Sequence, residues 1–262
     1  MPERDAEGRI STERRGTLLL IGLDRPEKRN GLTPVMWRGL ADAYTELDRD
    51  PELRAGVVFG HGEHTTAGLD LPKWTERLGS GVTPAVERVD PFALGRRCSK
   101  PVVCAVRGIT FTAGIEMMLA ADIVVAADDC RFSQLEPARG IMATGGATFR
   151  FIERGGWGNA MYHLLIVDEF DAAEARRCGL VQEVVPAGTE LDRAIELAQK
   201  IAALAPLAIQ ATKASSVRYA REGEQACIDG FAPAQRELMQ TEDAAEGVRS
   251  FVERRTARFK GR

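Results

Sequence analysis

Apolar residues recur along this chain at two spacings, and the spacings divide it into elements. Residues 17–23 form a short apolar run closed by Asp24, Arg25 and Pro26, the pattern of a buried strand entering a turn. A helix is predicted next. Thr33 is placed to cap it, Pro34 suits its first turn, and Met36, Leu40, Tyr44 and Leu47 repeat at helical spacing until Asp50 and Pro51 stop it. Residues 55–59 read as a second strand running into the loop GHGEHTTAG. Residues 79–97 mix glycine, proline and charge around Val86, Phe92 and Leu94, and only loop with some helix is assigned there.

Residues 102–106 are a compact β-branched strand followed by RGITFTAG, a helical pattern over 115–121 and another strand over 123–127. Strand, glycine-bearing turn, helix and strand in that order make a right-handed crossover, and its repetition predicts an α/β body over the first two thirds. Downstream, 172–178 reads as a short helix ended by Gly179, and 181–185 as a strand closed by Pro186. From Leu191 the pattern is helical. Leu191, Ala194, Ile195, Ala198, Ile201 and Ala202 form one stripe, with further helices over 208–221, 225–239 and 242–257 that need a surface to pack on, in this chain or a neighbour.

At 262 residues and 44% hydrophobic content the chain can bury one substantial core. Thirty-five basic against thirty-eight acidic residues leave a net charge of −3, so no whole-chain field recruits nucleic acid or an anionic membrane. The polar opening MPERDAEGRISTERRG lacks the apolar run of a secretory signal, and no stretch reaches the roughly eighteen apolar residues of a membrane span, which makes the cytoplasm the expected compartment. Cys98, Cys104, Cys130, Cys178 and Cys227 are odd in number and lack C-x-x-C spacing, so a disulfide framework or zinc cage is not expected. His61 and His64 have H-x-x-H spacing but no helical H-E-x-x-H context and no evident third ligand, so no metal is expected. Gly155-Gly156-Trp157-Gly158 lacks the strand and acidic residue of a dinucleotide site and reads as a helix-entry turn; Met142, Phe149 and Trp157 are candidates for an acyl pocket or, more simply, for core.

Two loops can carry chemistry. In Thr65-Thr66-Ala67-Gly68-Leu69-Asp70-Leu71 a glycine after a strand lets the backbone turn and present free N–H groups. In Gly108-Ile109-Thr110-Phe111-Thr112-Ala113-Gly114 a glycine-containing segment leads into a helix whose first N–H groups lack intrahelical partners. Singly, each is ordinary turn chemistry. In order along the chain, however, Leu23 to Asn30, Ala67 to Leu71 and the block from Pro101 to Asp122 resemble the opening turn, first oxyanion segment and signature block of the enoyl-CoA hydratase/isomerase (crotonase) family, over nearly the whole length.

That resemblance implies an α/β fold of the crotonase-like (ClpP/crotonase) type, a spiral of ββα units over 1–190 with a C-terminal helical trimerisation region over 191–262. It implies oxyanion donors at the backbone N–H groups of Leu69 and Ala113, with Ala67, Gly68, Asp70 and Leu71 around the bound thioester. The family's triplet of small residues here contains Thr112, which adds bulk at the edge of the hole. It also implies an acid/base pair, Glu116 and Glu136; members with both resemble hydratases of 2-enoyl-CoA thioesters. On spacing alone the plainer readings lead, Glu116 as a helix-dipole partner or salt-bridge residue and Glu136 as a surface turn residue before Pro137, and it is the resemblance, which supplies both positions at once, that reverses this. Lys28 and Arg29 are the candidate clamp on the nucleotide side, and Phe251 and Arg254, on one helical face, resemble the segment that reaches a neighbour's coenzyme A; a solvated turn and an amphipathic helix are the plain alternatives. No cofactor is implied, coenzyme A being part of the substrate, and the resemblance favours a homotrimer or dimer of trimers. The same hole would also serve an isomerase, hydrolase or decarboxylase, or a noncatalytic acyl-CoA-binding module.

Overall fold

The computed structural model describes residues 7–80 and 87–262; of the loop assigned above, residues 81–86, and with them Val86, lie outside the described residues. In chain order it runs through β1 (Arg9–Arg15), β2 (Leu18–Asp24), α1 (Pro34–Arg49), β3 (Ala55–Gly60), α2 (Leu71–Ser80), β4 (Val102–Val106), β5 (Ile109–Phe111) and α3 (Ala113–Ala120). It continues with β6 (Ile123–Ala127), β7 (Arg131–Ser133), α4 (Ala147–Ile166), β8 (Phe170–Asp171), α5 (Ala172–Arg177), β9 (Glu183–Val185), α6 (Glu190–Ala202), α7 (Pro206–Glu222), α8 (Glu224–Leu238) and α9 (Glu242–Glu253).

Six strands pair in the order β1-β2-β3-β4-β6-β9, all parallel except the β1 edge, which runs antiparallel to β2. β5, β7 and β8 form a second, small sheet beside it. The strand period of two sends alternate side chains to opposite faces. Leu19, Ile21 and Leu23 of β2, Val58 of β3 and Cys104 of β4 join the main core, packed with Met36, Leu40, Tyr44 and Leu47 of α1 and with α3. Leu18, Leu20, Val57, Val103, Ala105 and Val125 point the other way and are covered by Ala194, Ile195, Ala198 and Ala202 of α6. The helical stripe read from the sequence is thus the lid on the second face of the sheet.

Local signals explain the element ends. Thr33 caps α1 by accepting the Met36 N–H at 3.2 Å, Pro34 opens the helix, and Asp50 closes it. Gly179, at φ 72, ends the turn after α5. Gly156, at φ 76 and ψ 166, kinks α4, so the glycine-rich turn lies inside a helix and opens its second half. Because Ala147, Arg150 and Phe151 take the inward face of α4, Phe149 is turned out; Met142, Phe149 and Trp157 are all exposed, which corrects their reading as core.

The final helix also ends sooner than its pattern. It stops at Glu253 because Arg254 adopts φ 53, Arg255 N donates to Ser250 O, and the Arg255 guanidinium grips both oxygens of Glu246. Phe251 is therefore helical and Arg254 is not, so they do not share a helical face. α7 and α8 pack as a hairpin and contain no buried residue. No helix among the described residues is long and apolar enough to cross a membrane.

Candidate active site

The two glycine-bearing segments lie side by side. Thr66 N donates to Ile109 O at 3.1 Å, and Phe111 N donates to Thr66 O at 3.0 Å, a parallel rung between the first loop and β5. Gly68, at φ 99, sits so close to Thr112 that a Cβ there would overlap Thr112 Oγ1; a Cβ on Gly114 would also crowd the Thr66 methyl, though less. Glycine is required at 68 on both counts. The first loop is fixed from behind: the Thr66 hydroxyl donates to Asn30 O and accepts the Gly68 N–H. Leu32 N donates to Gly68 O and Asp70 N to Leu32 O. Between these anchored amides, the N–H of Leu69 has no acceptor among the described residues, and neither has that of Ala113, the first residue of α3. Two adjacent segments thus each offer one free amide, the donor set of an oxyanion hole.

Both predicted carboxyls are buried. Glu116 is 4% exposed and Glu136 8% exposed. Glu116 lies one turn into α3, and its Oε1 accepts the N–H groups of Gly145 (2.6 Å) and Ala147 (3.3 Å) at the start of α4. Burial chiefly, with the charge of Glu136 behind it, pushes the Glu116 pKa up to about 7, against the opposing pull of those two amides and of Arg150. Glu136 follows β7 and precedes a short 3-10 turn, Pro137–Arg139. Its Oε1 accepts from Gln134 Nε2 at 3.3 Å, its Oε2 is buried with no hydrogen-bond partner among the described residues, and burial raises its pKa as well. The charge of Glu136 acts on Glu116, so the two carboxyls lie near one another.

The remaining predicted residues are distributed around this centre. Ala67 N donates to Arg29 O at 2.9 Å, so the opening turn and the first loop are joined, while the side chains of Lys28 and Arg29 are exposed. The Asp70 carboxylate is committed to buried Arg25, whose Nη1 lies 2.8 Å from Oδ2. Leu71 opens α2. Phe251, 85% exposed, and Arg254 stand at the end of α9, and no hydrogen bond, ion pair or ring contact among the described residues joins them to the site within this chain. The two histidines of the H-x-x-H stretch have separate structural partners: His64 Nδ1 accepts the Ile109 N–H, and His61 Nε2 lies 2.7 Å from Ser11 Oγ.

Several residues that shape the site escaped the sequence reading. Gln134 steadies Glu136, Arg25 and Asn30 brace the opening turn, and Arg150, 5% exposed, donates to Gly145 O, next to the anchor of Glu116. Their polarity argued for surface positions, and only their tertiary partners reveal otherwise.

A family model described as enoyl-CoA hydratase/isomerase matches residues 13–262. Enoyl-CoA hydratase EchA19 of Mycobacterium tuberculosis is 33% identical over 95% of this chain and 96% of its own. The 2,3-dehydroadipyl-CoA hydratase of Escherichia coli is 32% identical over 97% and 99%. A crystal structure described as a probable enoyl-CoA hydratase/isomerase from Mycobacterium abscessus superposes with a TM-score of 0.94 at 46% identity, covering 97% of this chain and 98% of that one.

Proposed function

This chain belongs to the enoyl-CoA hydratase/isomerase family, and on that premise we propose that it is a hydro-lyase adding water to a 2-enoyl-CoA thioester to give the 3-hydroxyacyl-CoA. The observation that carries the reading is a pair of buried carboxyls, the charge of Glu136 acting on Glu116, together with two amides that have no acceptor among the described residues.

The thioester oxygen accepts from Leu69 N–H and Ala113 N–H. With the single proton of the pair on Glu136, the Glu116 carboxylate, held by the N–H groups of Gly145 and Ala147, takes a proton from water as the water oxygen bonds to C3. The C2–C3 π electrons move toward the carbonyl and make an enolate whose negative oxygen the two amides stabilise; one such donor contributes about 3–4 kcal/mol. The enolate collapses and takes a proton onto C2 from Glu136, whose burial favours its neutral form and whose Oε2 has no hydrogen-bond partner among the described residues. The pair carries one proton before and after, and exchange with water returns it from Glu116 to Glu136. Neither a metal nor a redox cofactor is part of this reading.

Lys28 and Arg29 hold the nucleotide end of coenzyme A, and remote contacts of this kind keep the acyl end in register. Phe251 and Arg254 serve a neighbouring subunit's coenzyme A, which requires a homotrimer or dimer of trimers built through the C-terminal helices. The reading places the reaction in the cytoplasm.

Glu116→Gln and Glu136→Gln are each expected to cut hydration of crotonyl-CoA at least ~100-fold, followed by loss of the conjugated ultraviolet absorbance, with acyl-CoA affinity largely kept. Full turnover in either variant refutes the assigned roles, and conversion of 3-enoyl-CoA in preference to 2-enoyl-CoA would indicate an isomerase instead.

A further inference from the structure

Ahead of β4, residues 90–95 are held more firmly than a connecting loop requires. Asp90, itself buried, accepts the N–H groups of Phe92 (2.9 Å), Leu94 (3.1 Å) and Gly95 (3.0 Å). Ala93 stands at φ 52, a left-handed conformation that a residue with a Cβ adopts only when its surroundings enforce it. Arg150 of α4 supplies that enforcement from the other side, donating to Phe92 O at 2.6 Å and Ala93 O at 3.4 Å, although burial pushes its guanidinium pKa down to about 10.

The fixture presents the ring of Phe92 to Glu116. A Cβ on Gly145 would overlap both Phe92 Cε2 and Glu116 Oε2, so the ring edge and the outer carboxylate oxygen border the same small space. Behind it, Phe92 meets Trp37 edge-on, centroids 4.5 Å apart at 62°, and Trp37 meets Trp74 at 6.2 Å and 83°. Trp74 Nε1 in turn donates to Leu32 O at 2.8 Å, the carbonyl that also accepts Asp70 N in the loop carrying Leu69. Three aromatic residues therefore form one wall from Glu116 to the oxyanion loop. With C1 at the amides and C3 beside Glu116, the group carried by C3 meets this wall.

We propose that Phe92, fixed by Arg150 and backed by Trp37, is the specificity-determining residue of the acyl end, confining the enzyme to 2-enoyl-CoA thioesters with a short, unbranched group on C3. The inference rests on the hydratase reading. Interlocked rings pinned at both ends cannot swing aside for a longer chain, and poorly accommodated methylenes are discriminated by roughly 10- to 200-fold each in a tight apolar pocket.

The test compares the whole protein with Phe92→Ala and the milder Phe92→Leu, on crotonyl-CoA and trans-dec-2-enoyl-CoA. The wild type should favour crotonyl-CoA in kcat/KM. Phe92→Ala should raise the decenoyl-to-crotonyl ratio at least ~10-fold, with Phe92→Leu moving it less in the same direction. Calorimetric Kd values for butanoyl-CoA and decanoyl-CoA, which need no turnover, should shift in parallel. A wild type that hydrates no thioester would sink the hydratase reading, and the Kd comparison would still decide the wall. Ratios that stay within about twofold of wild type in both measurements, or a wild type that prefers the longer chain, overturn the proposal.

Discussion

Glu116 shows how a side chain's surroundings set both its chemistry and its cost. Its carboxyl in the folded protein titrates near 7, whereas in the unfolded chain it titrates near its ordinary value of 4.5. Between those values the folded state keeps a proton that the unfolded state gives up, so stability falls as pH rises through the window, and the whole deficit is present above 7. Glu116→Gln removes that deficit while its amide oxygen can still accept the Gly145 N–H. Its stability advantage should be near zero at pH 4 and grow to on the order of 3 kcal/mol at pH 8. Denaturant titrations at the two pH values check this; an advantage independent of pH would mean that the acid is not held above its ordinary range. Glu116 and Glu136 could be singled out in the sequence because several motifs fell in order around them, and the structure shows both buried. Gln134 and Arg150 were not, since nothing about an isolated polar residue says that a carboxylate or a carbonyl awaits it in the interior.

At the scale of elements, the start of α3 carries a visible strain. Thr112, its N-cap, adopts φ 49 and ψ −114, a region suited to glycine, and its side chain makes no capping hydrogen bond. Thr112→Gly should therefore stabilise the fold by about 1 kcal/mol, the relief of strain exceeding the extra chain entropy of glycine. A lower Tm in that variant would show that contacts of the threonine side chain outweigh the backbone term. α1, α6 and the strands of the main sheet after β1 were readable, because apolar runs marked the strands and Thr33, Pro34 and Asp50 marked the ends of α1, whereas the 20-residue α4 was not, because the glycines around its kink at Gly156 read as a turn. β5, β7 and β8 were not recognised: two or three residues cannot display a period. β1 escaped because it is a polar edge strand, RISTERR, whose side chains mostly face water. α2 was hidden by its short, mixed sequence LPKWTERLGS.

For the whole molecule, family and architecture were accessible from motif order, whereas assembly depends on surfaces that one chain leaves uncovered. α7 and α8 expose Tyr219, Ile228, Phe231 and Met239, and α9 exposes Val248, Phe251 and Val252. Apolar surface on this scale favours association. Sedimentation at micromolar concentration should give three or six times the 28.6 kDa of one chain, and Phe231→Asp should shift the distribution toward smaller species. A monomeric wild type would remove the neighbour that Phe251 and Arg254 are proposed to serve. The aromatic wall has an optical consequence. Of the chain's three tryptophans, Trp37 and Trp74 stand in the wall while Trp157 projects into solvent. On the proposed reading, intrinsic emission divides into an interior pair beside the acyl end and one water-exposed reference, an unlabelled gauge of whether the cleft is filled.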